Sequence, residues 1–193
     1  MNPENEGSDG ESIFPESEIV YSGFWERLGA LMLDGLIIAA LTLPVSYFNI
    51  TRWKIPSLYI IISLISILYK PVMECCFGAT LGKMIVGLQV VGHDFQKITI
   101  PEEIKRLSFY LFPGIIQNII TTPIYFSTTF ESTDNYRVFN GQVAAHNPSL
   151  LWISGIVFVL FFADTASFFI NNPNRALHDV YANTNVIEKR RGA

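Results

Sequence analysis

The sequence predicts an all-α membrane protein: a four-helix transmembrane bundle with a small β-hairpin element at its cytoplasmic face. Of the residues, 50% are hydrophobic and only 16% are charged, whereas about a quarter of a soluble domain is charged. The apolar residues are gathered into four long runs, at about 28–48, 56–77, 107–126 and 150–170. Each run is long enough to cross the roughly 30 Å hydrocarbon core of a bilayer, which takes about 20 helical residues.

The chain divides into three parts by composition. Residues 1–22 carry six carboxylates and no Lys or Arg, and their Glu-, Ser-, Gly- and Asn-rich composition predicts a disordered acidic tail. Residues 23–187 form the transmembrane domain, and 188–193 are a short basic end. The formal net charge of −4 therefore comes from the tail, and no basic surface of the kind that binds nucleic acid is expected.

The four runs differ in how cleanly they predict a span. The third has no charged residue, and the first and fourth have one each, Asp34 and Asp164. Lys70 and Pro71 interrupt the second, which we interpret as one helix bent at the proline. The third contains helix breakers and hydrogen-bonding side chains, which fit either an interior position or an ordinary kinked helix.

The segment between the second and third spans predicts two small elements. The β-branched run 84–91, followed by the short run 97–100, is typical of a β-hairpin lying against the membrane. Thr99, Pro101 and Glu102 have the spacing of a capping box with proline in the first turn. They predict an interfacial helix that leads into the third span.

The distribution of basic residues predicts the orientation. With both termini in the cytoplasm, ten Lys and Arg residues lie on the inner side and three on the outer side. Basic residues concentrate on the cytoplasmic side of membrane proteins. We therefore expect the N-terminus and the C-terminus to be cytoplasmic.

Charged residues within the spans are the candidate functional groups. In this topology Asp34, Glu74 and Asp164 lie in the inner halves of three spans, close to Arg27 and Arg175. Lys70 and Glu74 are four residues apart, so they can pair directly on one helix. An ionisable group at mid-bilayer costs roughly 2.5–3.5 kcal/mol, so each needs a partner or a function.

Two interpretations of this cluster remain open. In the first, Asp34, assisted by Arg27, Glu74 and Asp164, binds protons and monovalent cations in exchange. In the second, the charges pair with one another and fix the helices of a non-transporting scaffold, which recruits partners at the cytoplasmic face. Because four spans are few for a carrier, an exchanger of this size is expected to form a homo-oligomer.

Enzymatic chemistry is not expected. The hydroxyl residues form no nucleophile motif, and His93, His146 and His178 lack metal-ligand spacing, so we expect no metal, cofactor or covalent catalysis. The segment 78–83 is not a nucleotide-binding loop, because Lys83 is followed by Met84 rather than Ser or Thr. The adjacent Cys75 and Cys76 are either acylated at the interface or simply pack.

Three separated motifs resemble the RDD family, which is named for one Arg and two Asp. Arg27 at the start of the first helix and Asp34 within it match the opening motif, and Asp179 in the segment 175–184 supplies the second Asp. The central motif is Gly-Ala-Thr-Leu-Gly-Lys at 78–83, and Asn183 stands where the family usually has glycine. The motif positions beyond the first helix are Lys70, Gly78, Thr80, Gly82, Lys83, Arg175, His178, Asp179 and Thr184.

The resemblance covers about residues 22–187 and implies a small integral protein of the bacterial inner (plasma) membrane. It implies a transport role as one expectation, because some members are similar to sodium/proton antiporters. Other members are membrane modules attached to different machinery. The lipid bilayer, monovalent cations, protons and further copies of the chain are thus the expected partners.

Overall fold

The computed structural model describes residues 20–92, 95–170 and 175–188. The predicted acidic tail 1–22, apart from 20–22, and the basic end 188–193, apart from 188, lie outside the described residues. The described chain folds into eight α-helices and two β-strands: α1 (Phe24–Phe48), α2 (Pro56–Phe77), α3 (Leu81–Val86), β1 (Leu88–Gly92), α4 (Ile100–Tyr125), α5 (Thr128–Ser132), α6 (Tyr136–His146), α7 (Ser149–Ile170), α8 (Leu177–Ala182) and β2 (Thr184–Glu188).

Three helices of the described chain are long and apolar enough to cross a membrane. They are α1 with the π-helical turn Asn49–Trp53 that extends it, α2 and α7. The count rises to four when α4 is included, whose halves Ile100–Ser108 and Leu111–Tyr125 are bent by 68°. Few residues of the three helices are fully buried within the described protein, as expected for helices surrounded by lipid.

Proline, glycine and asparagine residues define several of the helix ends. Pro56 occupies the first turn of α2, where its missing N–H costs no hydrogen bond. Gly78 and Gly87 end α2 and α3 with φ of 74° and 84°, a conformation that a Cβ disfavours. Thr80 caps the N-terminus of α3, and Asn183 ends α8 with φ of 57°.

The two strands form an antiparallel sheet, with Leu88 opposite Glu188 and Gly92 opposite Thr184. The predicted hairpin within 84–100 is therefore wrong in its pairing. Only an isolated bridge joins Val91 to Lys97, and the first three residues of the first predicted strand belong to α3. Short-range sequence signals could not indicate a partner strand that lies almost a hundred residues further along the chain.

Helices and strands at the two ends of the long helices pack around separate cores. The sheet end, formed by α3, α8, β1 and β2, packs around Ala30, Leu88, Val90, Ile98 and Val186. At the loop end, α5 and α6 fold within the polar segment between α4 and α7 and pack around Ile50, Tyr125, Phe130 and Phe139. The membrane helices thus pack against a separate small core at each of their two ends.

The capping box predicted at the start of α4 is present. The backbone N–H and the hydroxyl of Thr99 both donate to the carboxylate of Glu102, at 2.8 and 2.7 Å. In the second half of α4, Asn118 accepts a 2.9 Å hydrogen bond from the Tyr59 hydroxyl of α2. At least one of the polar residues of the third span therefore faces a neighbouring helix.

Candidate functional site

A chain of buried ion pairs crosses the sheet end, and Arg106 of α4 lies at its centre. The Arg106 Nε atom donates to Asp179 Oδ1 of α8 at 2.8 Å, and Nη1 donates to Glu74 Oε2 of α2. The three side chains are at most 1% exposed. One guanidinium group therefore bridges two carboxylates from different helices, a geometry that the planar fork of arginine suits.

Two further cations extend the chain of ion pairs in both directions. Lys83 Nζ of α3 lies 2.8 Å from Glu74 Oε1, and Arg27 Nη1 of α1 lies 2.5 Å from Asp179 Oδ2. We call Arg27, Glu74, Lys83, Arg106 and Asp179 the charge network. It connects α1, α2, α3, α4 and α8 through alternating charges, so each carboxylate is shared by two cations.

His178 joins the last membrane helix to the charge network. Its Nδ1 atom lies 2.7 Å from Asp164 Oδ2 of α7, and its Nε2 atom lies 3.2 Å from Asp179 Oδ1. The backbone N–H of His178 also donates to Asp164 at 2.9 Å. Arg175 donates to the backbone carbonyl of Asp179 at 3.3 Å. The beginning of α8 is therefore held to α7 by several polar contacts.

The surroundings of Asp179 and Lys83, which lie outside the long helices, affect the pKa values of these two groups differently. Burial raises the pKa of Asp179, but His178, Arg106 and Arg27 outweigh it and hold the pKa well below its usual range. Burial and the charge of Arg106 lower the pKa of Lys83 to about 8, although Glu74 opposes this shift. Asp179 is therefore firmly ionised at neutral pH, whereas Lys83 can release its proton more readily than an exposed lysine.

Asp34 occupies a separate polar site next to the charge network. Its carboxylate accepts hydrogen bonds from the Tyr69 hydroxyl at 2.8 Å, the Thr80 hydroxyl at 2.5 Å and the Gly82 N–H at 2.8 Å. A Cβ on Gly82 would lie only 2.2 Å from the Ala30 carbonyl oxygen. Asp34 thus holds the N-terminus of α3 tightly against α1.

Glu103 of α4 is a buried carboxyl group beside the charge network. Its residue is 0% exposed, and neither side-chain oxygen has a hydrogen-bond partner within the described residues. In its ion pair with Arg106, Glu103 Oε2 lies 3.8 Å from Nη1 of the arginine. That distance is too long for a hydrogen bond.

The structure brings together most of the residues that the sequence grouped by depth. Glu74 and Arg27 belong to the charge network, and Asp164 reaches it through His178. Asp34 instead has three neutral donors. The direct pairing of Lys70 with Glu74 stays a prediction, although the charge of Lys70 acts on that carboxylate.

Several residues of the family motifs have structural roles at the sheet end. Gly78 and Thr80 end and begin the two consecutive helices α2 and α3, and Lys83 pairs with Glu74. Thr184 is buried at the start of β2. Asp179, the second Asp of the resemblance, lies in the charge network between Arg106 and Arg27.

Sequence reasoning missed Arg106 as a site residue and did not consider Glu103. Both fall in the predicted interfacial helix, three residues apart, and Leu107 beside them is also buried. That spacing puts them on the helix face that carries an apolar residue, a signal that could have indicated burial. Within the described residues no cluster of His, Cys, Asp or Glu could hold a metal ion.

The long apolar helices and the buried ion pairs at one of their ends define a class, the small helical membrane proteins. The family model described as "RDD family" matches residues 21–183, most of the chain. The protein belongs to the RDD family. Of the three residues to which the resemblance assigns the family's named Arg and Asp positions, Arg27 and Asp179 are paired in the charge network.

A curated relative is the uncharacterized protein YckC of Bacillus subtilis (strain 168). It is 36% identical over 80 residues, which cover 41% of this chain and 52% of the relative. The match thus spans about half the length of that relative. No solved structure matches the chain.

Proposed function

We propose that this protein is a small membrane transporter that exchanges a monovalent cation for a proton. The observation that supports the proposal is the charge network, in which Glu74, Arg106 and Asp179 are buried where membrane helices meet. Breaking or rearranging buried ion pairs costs several kcal/mol, and ionisable groups inside membrane proteins mark ion and proton pathways.

The bridging position of Arg106 supports the proposed coupling between a proton and a cation. Arg106 bridges Glu74 of α2 and Asp179 of α8, so a change of charge on one carboxylate alters the contacts of both helices. The 68° bend of α4 follows closely, between Ser108 and Leu111. A rearrangement of ion pairs at Arg106 can therefore change the direction of the second half of α4.

The proposed setting is the bacterial plasma membrane, with both termini in the cytoplasm. The distribution of Lys and Arg supports this orientation, which puts the sheet end and the charge network on the cytoplasmic side. A complete four-helix bundle, in which the bent helix α4 spans the bilayer, belongs to the same proposal. The pathway is expected to be completed by a homo-oligomer.

Reconstitution in liposomes tests the proposed function. Purified protein is inserted with an internal pH-sensitive dye and given pulses of sodium, potassium and lithium. We expect a cation-dependent pH change with wild-type protein and with Glu131→Gln, an exposed carboxylate at the loop end. Glu74→Gln, monodisperse by size-exclusion chromatography, is expected to abolish it. Wild-type protein that gives no pH change with any of the three ions would refute exchange.

A second candidate function is a non-transporting membrane scaffold. The observation that favours it is the saturation of Asp34, Glu74 and Asp179, each of which has at least two donors or cations. In a scaffold these contacts fix the sheet end as a rigid cytoplasmic surface, and the acidic tail recruits the partner.

Removal of residues 1–19 tests the scaffold, because it leaves Tyr21 and Ser22, which contact β2. The shortened protein is expected to lose a partner that the full chain captures from membranes of its host. Recovery of the same proteins with and without the tail would contradict this role of the tail.

A further inference from the structure

We propose that Glu103 is the carboxyl group that binds and releases the proton in this protein. The assignment deepens the proposed exchange, and its transport step rests on that function, but proton binding at Glu103 can be measured without transport. The inference replaces the sequence-based assignment of Asp34 as the exchanging carboxylate.

The argument begins with the hydrogen bonds of the competing carboxylates. Asp34 accepts from three donors, Glu74 contacts two cations, and Asp179 contacts two arginines. Hydrogen bonds and opposite charges favour the ionised form of a carboxyl group. The oxygens of these three carboxylates are thus already engaged in hydrogen bonds or ion pairs, and adding a proton would displace one of these contacts.

Glu103 has the opposite surroundings. It is fully buried, and within the described residues neither of its oxygens accepts a hydrogen bond. Burial without hydrogen bonds disfavours a carboxylate and favours the neutral acid. When hydronium transfers a proton to one carboxylate oxygen, an O–H bond of hydronium is replaced by a carboxyl O–H bond, water is released and the buried negative charge is removed.

Charged and titratable groups on three elements act on Glu103. Glu74 and Lys70 of α2 and Lys83 of α3 face it, together with Arg106 of its own helix. The Cys75 thiol of α2 also interacts with it. Glu74 repels a negative charge on Glu103, whereas the three cations attract it. These opposing charges allow both the protonated and the ionised form of Glu103.

Arg106 Nη1 connects the proton site to the charge network. It donates to Glu74 and lies 3.8 Å from Glu103, so a small movement would turn the guanidinium group from one carboxylate to the other. When Glu103 loses its proton, it competes with Glu74 for Arg106. Release of the proton would thereby loosen the link between α2 and α4.

The position of Glu103 gives a short route for protons. It lies in the first turn of α4, next to Glu102, which is partly exposed and caps the helix. Glu103 therefore lies near the end of α4 that is in contact with water.

The test compares Glu103→Gln with Glu102→Gln, a matched control in the same helical turn. Glutamine can replace glutamate in a capping box, so the control keeps the start of α4. In the liposome assay we expect Glu103→Gln to reduce the cation-dependent pH change to the level of protein-free liposomes, and Glu102→Gln to preserve it. Wild-type flux that persists in folded Glu103→Gln would overturn the proton site and leave the proposed exchange standing.

Infrared difference spectroscopy decides the assignment when wild-type protein shows no flux. Spectra recorded over a pH titration are expected to contain the carbonyl band of a buried protonated carboxyl, present in Glu102→Gln and absent in Glu103→Gln. A titrating band that is unchanged in Glu103→Gln, or no such band in wild-type protein, would overturn the inference. If the glutamine variant does not fold, Glu103→Asp keeps a carboxyl and must shift the titration of that band; an unshifted titration would count against Glu103.

Discussion

Replacing Gly82 by alanine is the most direct test of how α3 is joined to the first membrane helix. Gly82 has a helical backbone conformation, so the added methyl group acts through space alone. Its Cβ would lie 2.2 Å from the carbonyl oxygen of Ala30 and 2.8 Å from the Asp34 carboxyl carbon. Both neighbours belong to α1, and backbone cannot rotate away as a flexible side chain can.

The expected loss of stability follows from three contributions. Overpacking costs about 1–3 kcal/mol, and losing the hydrogen bond from the Gly82 N–H to the charged Asp34 costs about 1.5–3 kcal/mol. The higher helix propensity of alanine offsets about 1 kcal/mol. The net effect is a free energy of unfolding lower by about 3 kcal/mol, which corresponds to a Tm lower by about 6–12 °C for a domain of this size.

Fluorescence-detected size-exclusion chromatography after heating measures this change in detergent. Gly29→Ala is the matched control, because a Cβ at Gly29 meets no atom within 4 Å and lies in the same helix as Asp34. Its Tm is expected to equal or exceed that of the wild type. If Gly82→Ala is as stable as Gly29→Ala, α3 does not pack against α1 as described.

Three other predictions concern the charged groups. Arg106→Met leaves Glu74 and Asp179 without their shared cation and should lower the free energy of unfolding by about 3–5 kcal/mol. Lys105→Met, at the exposed neighbouring position, should change it little. Equal Tm values for the two variants would contradict the central place of Arg106. Asp34→Asn puts an amide where three donors converge and should lower the free energy of unfolding by about 1.5–3 kcal/mol. Flux per folded molecule is expected to be retained. Loss of flux at an unchanged Tm would restore Asp34 as the exchanging carboxylate. The pKa of Asp179 is held below its ordinary value of 3.8, so ionised Asp179 stabilises the fold above pH 3.8, and this stabilisation is lost as the pH falls below that value. The Tm of Asp179→Asn should therefore decline less steeply in acid than the Tm of the wild type. Parallel curves of Tm against pH would exclude this linkage.

The membrane helices were predictable because their signal is contained in each segment. Runs of about 20 apolar residues at 56–77 and 150–170 became Pro56–Phe77 and Ser149–Ile170 almost without change. The start of α4 was equally local, since Thr99 and Glu102 are three residues apart. The bend of α4 could not be placed, because several breakers occur in the span.

The sheet and the pairing of charges depend on contacts between distant segments. The β-branched residues of 84–91 suggested a strand, but Thr80 and Gly87 define a short helix in the first part of that run. Membrane depth correctly grouped Glu74 with Arg27 but could not reveal that Arg106 separates Glu74 from Asp179. It also could not show that Asp34 faces hydroxyl and backbone donors, because helix rotation is set by packing.

The ion pair between Arg27 and Asp179 joins residues that are 152 positions apart. Ser22, just before the first membrane helix, likewise donates to Val186 of the final strand. During synthesis the long helices α1, α2, α4 and α7 therefore leave the ribosome before Asp179, the anion that pairs with Arg27, has been made. Until α8 emerges, Arg27 lacks Asp179, and Arg106 has Glu74 but not its second carboxylate. The charge network is thus completed only after α8 has been made, so its assembly depends on a segment that follows the last membrane helix.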